Sequence, residues 1–238
     1  MVFWLIPLVV FVAIFTQSAA GFGMALVAMP ILAHFFEIKL LSPLIALVGI
    51  LAKILLLIKY KQALDLRALW QLTLGSLLFV PLGVYALDYL NESIAIKLLG
   101  AVVLFYSVFG LLNFTFPKLE GNVWGFGFGA IAGFLGGAFN TSGPPVVIYA
   151  NSKRWLPDQF KGNLQAYSLI NGAFIVFNHY LSGNITPAVW QSLLIAAPAV
   201  FLGVWLGTSL DRFFNPRRFR KLVLWLLVIL GLRMIFFS

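Results

Sequence analysis

Two segments of the chain combine residue types that can hold an anion without using a formal charge. The first is Gln17-Ser18-Ala19-Ala20-Gly21-Phe22-Gly23. The second is Gly136-Gly137-Ala138-Phe139-Asn140-Thr141-Ser142-Gly143-Pro144-Pro145. Both interrupt long apolar stretches. Glycine weakens a helix and proline lacks the amide donor, so a helix is expected to break at each. A helix that restarts after a break presents unpaired amides and a partial positive charge, which suits an anion. Thr141 or Ser142 is placed to cap the second restart, and Pro144 suits its first turn. Pro144 and Pro145 remove two amides. The Gly143 amide, the Ser142 and Thr141 hydroxyls and the Asn140 side chain are then expected to supply most contacts. In the first segment Gln17, Ser18 and the backbone of Gly21 and Gly23 play the equivalent part. The competing reading is that Gly, Ala and Ser serve helix packing, as they often do in membranes.

Lys53 is the ionisable residue that sits clearly inside an apolar stretch. An intramembrane charge is costly and usually functional, so Lys53 is a candidate anion contact. It also lies six residues from Lys59, close enough for its stem to snorkel to the interface. Asn163, Asn171 and Asn178 recur at spacings of eight and seven, which return to one helix face. Asn171, in mid-stretch, is a further candidate, with interhelical hydrogen bonding as the alternative. His34 and His179 lie at stretch ends beside aromatics and read as interface anchors. A lone pair of histidines makes no metal site. No metal or cofactor is expected. The spans hold no constellation of nucleophile, base or carboxylates for an enzyme, and no phosphate-binding loop for an ATP-driven pump.

The elements that must position these residues are legible from composition. Of 238 residues, 62% are hydrophobic and 10% charged, which excludes a soluble domain. Residues 1–36, 121–152 and 162–210 contain no Asp, Glu, Lys or Arg. A bilayer is crossed by about 20 apolar residues, so this is an all-α polytopic membrane protein. Gln17 to Gly21 resembles a signal-peptide cleavage site, but no basic residue precedes it and the apolar run continues, so it reads as a membrane segment. There is no Cys, and hence no thiol chemistry. The net charge of +9 lies between the apolar spans and reflects loop bias rather than nucleic-acid binding.

The apolar elements cover 2–36, 40–58, 68–87 and 98–116, and then 122–152, 162–181, 188–210 and 222–237. The second four repeat the first. An offset of 120 aligns Trp4 with Trp124, Gly23 with Gly143, and Ala68-Leu69-Trp70-Gln71 with Ala188-Val189-Trp190-Gln191. It also places Leu82-Gly83-Val84 on Leu202-Gly203-Val204. The repeats are assigned to 1–118 and 119–238. Each long first element, about 52 Å as one helix, exceeds a bilayer core of about 30 Å and is expected to fold as a broken hairpin. If each hairpin returns to its starting side, twelve Lys or Arg fall on one side and Lys39, Lys97 and Arg233 on the other. That split fits the positive-inside bias. It also makes the halves inverted repeats, each a broken hairpin plus three transmembrane helices.

Gly21-Phe22-Gly23-Met24-Ala25-Leu26-Val27-Ala28-Met29-Pro30 resembles the glycine-rich signature that opens the TauE/SafE family. Gly129-Ala130-Ile131-Ala132-Gly133-Phe134-Leu135-Gly136-Gly137 resembles the same signature opening the second half. Asn140 to Pro145 departs from the pattern, in which more glycine precedes a single proline. The resemblance implies a sulfite or organosulfonate transporter, largely an exporter, of the bacterial cytoplasmic membrane. Its expected partners are a small oxyanion, the lipid bilayer and a second copy of the chain. Inverted repeats with discontinuous helices place the substrate near the midplane. The expected mechanism is alternating access, and the alternative is an anion channel with the same broken-helix filter.

Overall fold

The computed structural model describes residues 4–20, 23–60, 65–112, 117–119, 121–210 and 216–236, and among these it is entirely helical. Ten helices follow one another: α1 Leu5–Ala20, α2 Met24–Leu32, α3 Ile38–Tyr60, α4 Leu66–Tyr89 and α5 Glu92–Leu111, then α6 Asn122–Phe139, α7 Gly143–Ser152, α8 Pro157–Leu181, α9 Pro187–Leu210 and α10 Pro216–Phe236. Helices α3, α4, α5, α6 and α9 are long and apolar enough to cross a bilayer. The chain is a multi-pass membrane protein. Large apolar side chains such as Leu78, Phe105, Leu194, Trp205 and Ile229 stand exposed on the outside of the bundle, as lipid contact requires.

Both long first elements break, the first at its glycines and the second at the Asn140–Pro145 cluster. α1 gives way to α2, which Gly23 opens with φ +107°. A side chain is strained in that left-handed conformation, so glycine is needed there. α6 ends on Asn140, also left-handed at φ 56°, with its amide bonded to the Gly136 carbonyl at 2.8 Å. Asn is the residue that best tolerates this conformation after Gly. The second hairpin returns on itself: Tyr149 near the end of α7 packs against Phe128, and its hydroxyl lies beside Gly125 near the start of α6.

The caps explain where the other helices begin. Asp65 accepts from the amides of Arg67 and Ala68 and opens α4. Asn91 accepts from Ser93 and opens α5 at Glu92, six residues before the apolar run at 98.

Neighbouring helices fix the directions within the bundle. The near end is taken here as the end where α3 begins. α3 and α8 are opposed, since Ser42 meets His179 while Lys53 lies beside Gly172. α4 runs with α8, since Asp65 meets Asn163 and Ser76 meets Asn171. α4 also runs with α6, Ser76 lying beside both Gly129 and Gly133, and Gly83 beside Phe134. α1 runs with α9, Phe11 lying beside Gly203 and Phe15 beside Gly207. α5 opposes α10, Gly100 lying beside Gly231 and Gly110 beside Leu224. Gly83 packs on Phe134 and Gly203 packs on Ile14; at the sequence offset of 120, Gly83 corresponds to Gly203 and Ile14 to Phe134.

Helix α6 presents Gly125, Gly129, Gly133 and Gly137 at every fourth position, and all four face α4. A Cβ at Gly133 would strike the Ser76 backbone. Packing on α4 therefore accounts for these four glycines of α6.

Candidate anion site and family

A cavity of about 50 Å³ lies between the two breaks. One water needs about 10–15 Å³, so this space admits a ligand of a few heavy atoms. Its wall combines Gln17 from α1, Gly23 to Leu26 from the start of α2, Lys53 from α3, Asn140 to Gly143 from the second break, and Leu164, Gln165 and Ser168 from α8. No carboxylate is among them, and Lys53 is the charged side chain.

The amides of the first helical residues have no intrahelical acceptor. In α2 these belong to Met24, Ala25 and Leu26, which line the cavity. In α7 the positions after Gly143 are Pro144 and Pro145, so Ser142 and Gly143 provide the free amides there. Both N-terminal ends carry partial positive charge toward one space.

Lys53 does not extend toward the chain end that holds Lys59. Its Nζ lies one turn back, 3.1 Å from where a Cβ on Gly49 would stand, and 3.5 Å from the same point on Gly172. Helical side chains lean toward the helix N-terminus, and two glycines leave the ammonium room. The geometry places the amine on the cavity wall and not in a snorkelling position.

Of the residues expected at the site, Gln17, Gly23, Lys53, Asn140, Thr141, Ser142 and Gly143 line this one cavity. Gly21 lies outside the described residues. Ser18 is not on the wall. It is buried against Gly207 of α9, and its hydroxyl has no partner among the described residues. Asn171 is not on the wall either. Its Oδ1 accepts from Ser76 at 2.8 Å, and Ser76 also meets the Tyr167 hydroxyl at 2.8 Å. The Tyr167 hydroxyl reaches Ser142 in turn, so this network supports the break from behind. Interhelical bonding is the role the structure gives Asn171 and Asn163, whereas Asn178 bonds its own helix at Phe174.

The expected capping of α7 is absent. Ser142 makes no side-chain cap bond, and the Thr141 hydroxyl donates instead to the Leu135 carbonyl at 3.4 Å. The reason is chemical. A capping oxygen accepts from the second or third helical amide, and prolines occupy both positions. The Ser142 hydroxyl turns instead to the Tyr167 hydroxyl, while the residue still lines the cavity.

His179 is not an interface anchor. It is fully buried and bonded on both ring nitrogens.

Sequence reading missed Gln165 and Ser168. They share the polar character of α8, but the spacing of the asparagines drew attention to the adjacent face. It expected backbone amides at the first break but placed them at Gly21 to Gly23, one step before the α2 residues Met24 to Leu26 that also line the cavity.

The match to known proteins agrees with this architecture. The family model of the sulfite exporter TauE/SafE matches residues 6–234. This chain belongs to the TauE/SafE family. A relative from Cupriavidus necator, named a probable sulfite/organosulfonate exporter TauE, is 25% identical over 221 residues, covering 90% of this chain and 86% of its own. No solved structure matches.

Proposed function

We propose that this TauE/SafE protein is a secondary transporter that exports a small anion, such as sulfite or an organosulfonate, across the bacterial cytoplasmic membrane. The observation that carries the reading is the convergence of the α2 and α7 N-termini and Lys53 on one small cavity without a carboxylate. Partial charges and one ammonium favour an anion, and they bind it weakly enough for release. The name of the Cupriavidus necator relative supports sulfite or a sulfonate as cargo. No enzymatic role is assigned, in keeping with a family described as an exporter.

The two halves, 1–118 and 119–238, act in this reading as inverted repeats of one transmembrane domain. The helix directions support it: α3 opposes its counterpart α8, and α5 opposes α10. Rocking of one half against the other would open the cavity alternately to each side. The side that receives most of the Lys and Arg is then cytoplasmic.

The test is counterflow. Purified protein in liposomes preloaded with unlabelled sulfite or methanesulfonate should take up labelled anion transiently above its equilibrium level. A non-saturable flux without counterflow would assign a channel.

A further inference from the structure

We propose that His179 is a proton-binding site that couples protonation to the anion cavity, an inference that rests on the transport reading above. His179 Nε2 lies 3.1 Å from Ser42 Oγ. Its Nδ1 lies 3.2 Å from Asn184 Nδ2, which also donates to Asp88 Oδ1 at 2.8 Å. An amide nitrogen can only donate, so Nδ1 is the accepting atom and Nε2 carries the proton toward Ser42. The ring is neutral in this arrangement. The Ser42 carbonyl accepts from Asn140 Nδ2 at 3.3 Å, and Asn140 belongs to the cavity wall. One chain of contacts therefore runs from a carboxylate at the near end, through the ring, to the second break.

A proton that reaches Nδ1 turns that atom from acceptor to donor. The Asn184 amide cannot then serve both neighbours. Rotated to offer its oxygen to Nδ1–H, it would turn the same oxygen on the Asp88 carboxylate. The link between Asn184 and Asp88 must open, which frees the α8–α9 turn from the end of α4 and leaves Asp88 as the countercharge of the imidazolium. The proton comes from water at the near end, where Asp88 and Asn184 are partly exposed. It adds one positive charge a short hydrogen-bonded path from the cavity. Protonation and anion binding then favour each other, and linkage makes the effect reciprocal; proton and anion would leave together, so export in this scheme runs down the outward gradient of the anion.

Other charged groups around the ring are already engaged. On α3, Lys39 Nζ donates to the Asp88 carbonyl at 2.7 Å. On α5, Glu92 accepts from the Ile38 amide at 2.8 Å. The facing helices α6, α7 and α9 carry no charged residue.

The chain has two histidines, so ¹⁵N-histidine labelling gives two sets of ring signals, and His34→Gln assigns them. In detergent-solubilised protein the Nε2–H form of His179 is expected at alkaline pH. It should take up a proton as the pH is lowered, and stay protonated over a wider range when methanesulfonate, a permanent anion, is added. In liposomes His179→Gln should retain methanesulfonate counterflow but lose about tenfold in accumulation driven by a pH gradient. Ser42→Ala keeps the ring and the carbonyl to Asn140, and should also reduce the driven accumulation while His179 still titrates. A His179 signal indifferent to pH and to methanesulfonate, or variants that accumulate like the wild type, would overturn the proton site. Absence of counterflow in every protein would overturn the transport reading, and the coupling with it.

Discussion

Lys53 is the residue on which a single-atom argument has most leverage. Its amine is turned back toward Gly49 and lines the cavity. A hydrogen bond to a charged partner contributes about 1.5–3 kcal/mol, so Lys53→Gln should weaken anion binding by ten-fold or more without preventing insertion. Calorimetric titration of the purified variant checks this, and unchanged affinity would mean that the ammonium does not touch the ligand. Ser142→Ala should weaken binding by less than Lys53→Gln, because its hydroxyl already meets Tyr167 and acts by holding the break in place. Gly143 behaves differently from Gly23. A Cβ there would meet nothing within 4 Å and its φ is not positive. Gly143→Ala should therefore fold and melt close to the wild type yet bind poorly, because the added methyl occupies ligand space; a branched side chain is avoided because Pro144 follows. Strain at the turn is expected instead of Gly23→Val, where φ is +107°.

The glycine ladder of α6 sets the constraints at the scale of the element. Gly129, Gly133 and Gly137 let α6 touch the α4 backbone, so the hairpin is held along its whole length by close packing. Inserting a side chain into such a contact costs about 1–3 kcal/mol, and more where backbone is struck. Gly133→Leu should lower the melting temperature in detergent and abolish transport together. Gly127 faces open space, and Gly127→Leu is the control expected to do neither. A melting temperature unchanged in Gly133→Leu would show that the helices separate easily. Helix α8 is the opposite kind of element. It is the most polar of the apolar elements read from the sequence, yet it buries Asn163, Tyr167 and Asn171, and α4 and its cap bond them.

For the molecule as a whole, the absence of Cys provides a clean background for labelling. Arg154→Cys lies in the turn between α7 and α8, at the end of the bundle opposite to Gly183→Cys between α8 and α9; both positions are exposed. In intact cells a membrane-impermeant thiol reagent should label the Gly183 variant and spare the Arg154 variant, because the latter shares its end with most of the basic residues. Labelling of both, or of the Arg154 variant alone, would refute the inverted arrangement proposed above.

Hydropathy and the glycine-, proline- and asparagine-containing interruptions determined the helical membrane class and the position of both breaks. These are properties of local sequence, because a lipid solvent forces every apolar run into a helix and every glycine–proline cluster into an exception. The residues flanking the breaks were legible for the same reason, and most of them do line one cavity. Which way a side chain turns was not legible. Ser18 and Ser142 look alike in sequence, but one is pressed against Gly207 and the other is on the cavity wall. Asn171 and Gln165 lie on neighbouring faces of α8, and only the packing of α4 and α3 decides which of them meets the cavity. His179 read as an anchor because it stands near a helix end. Residues far away in sequence, Ser42 and Asp88, surround it only after the halves have packed, and that packing turns an interfacial histidine into a buried, fully bonded one.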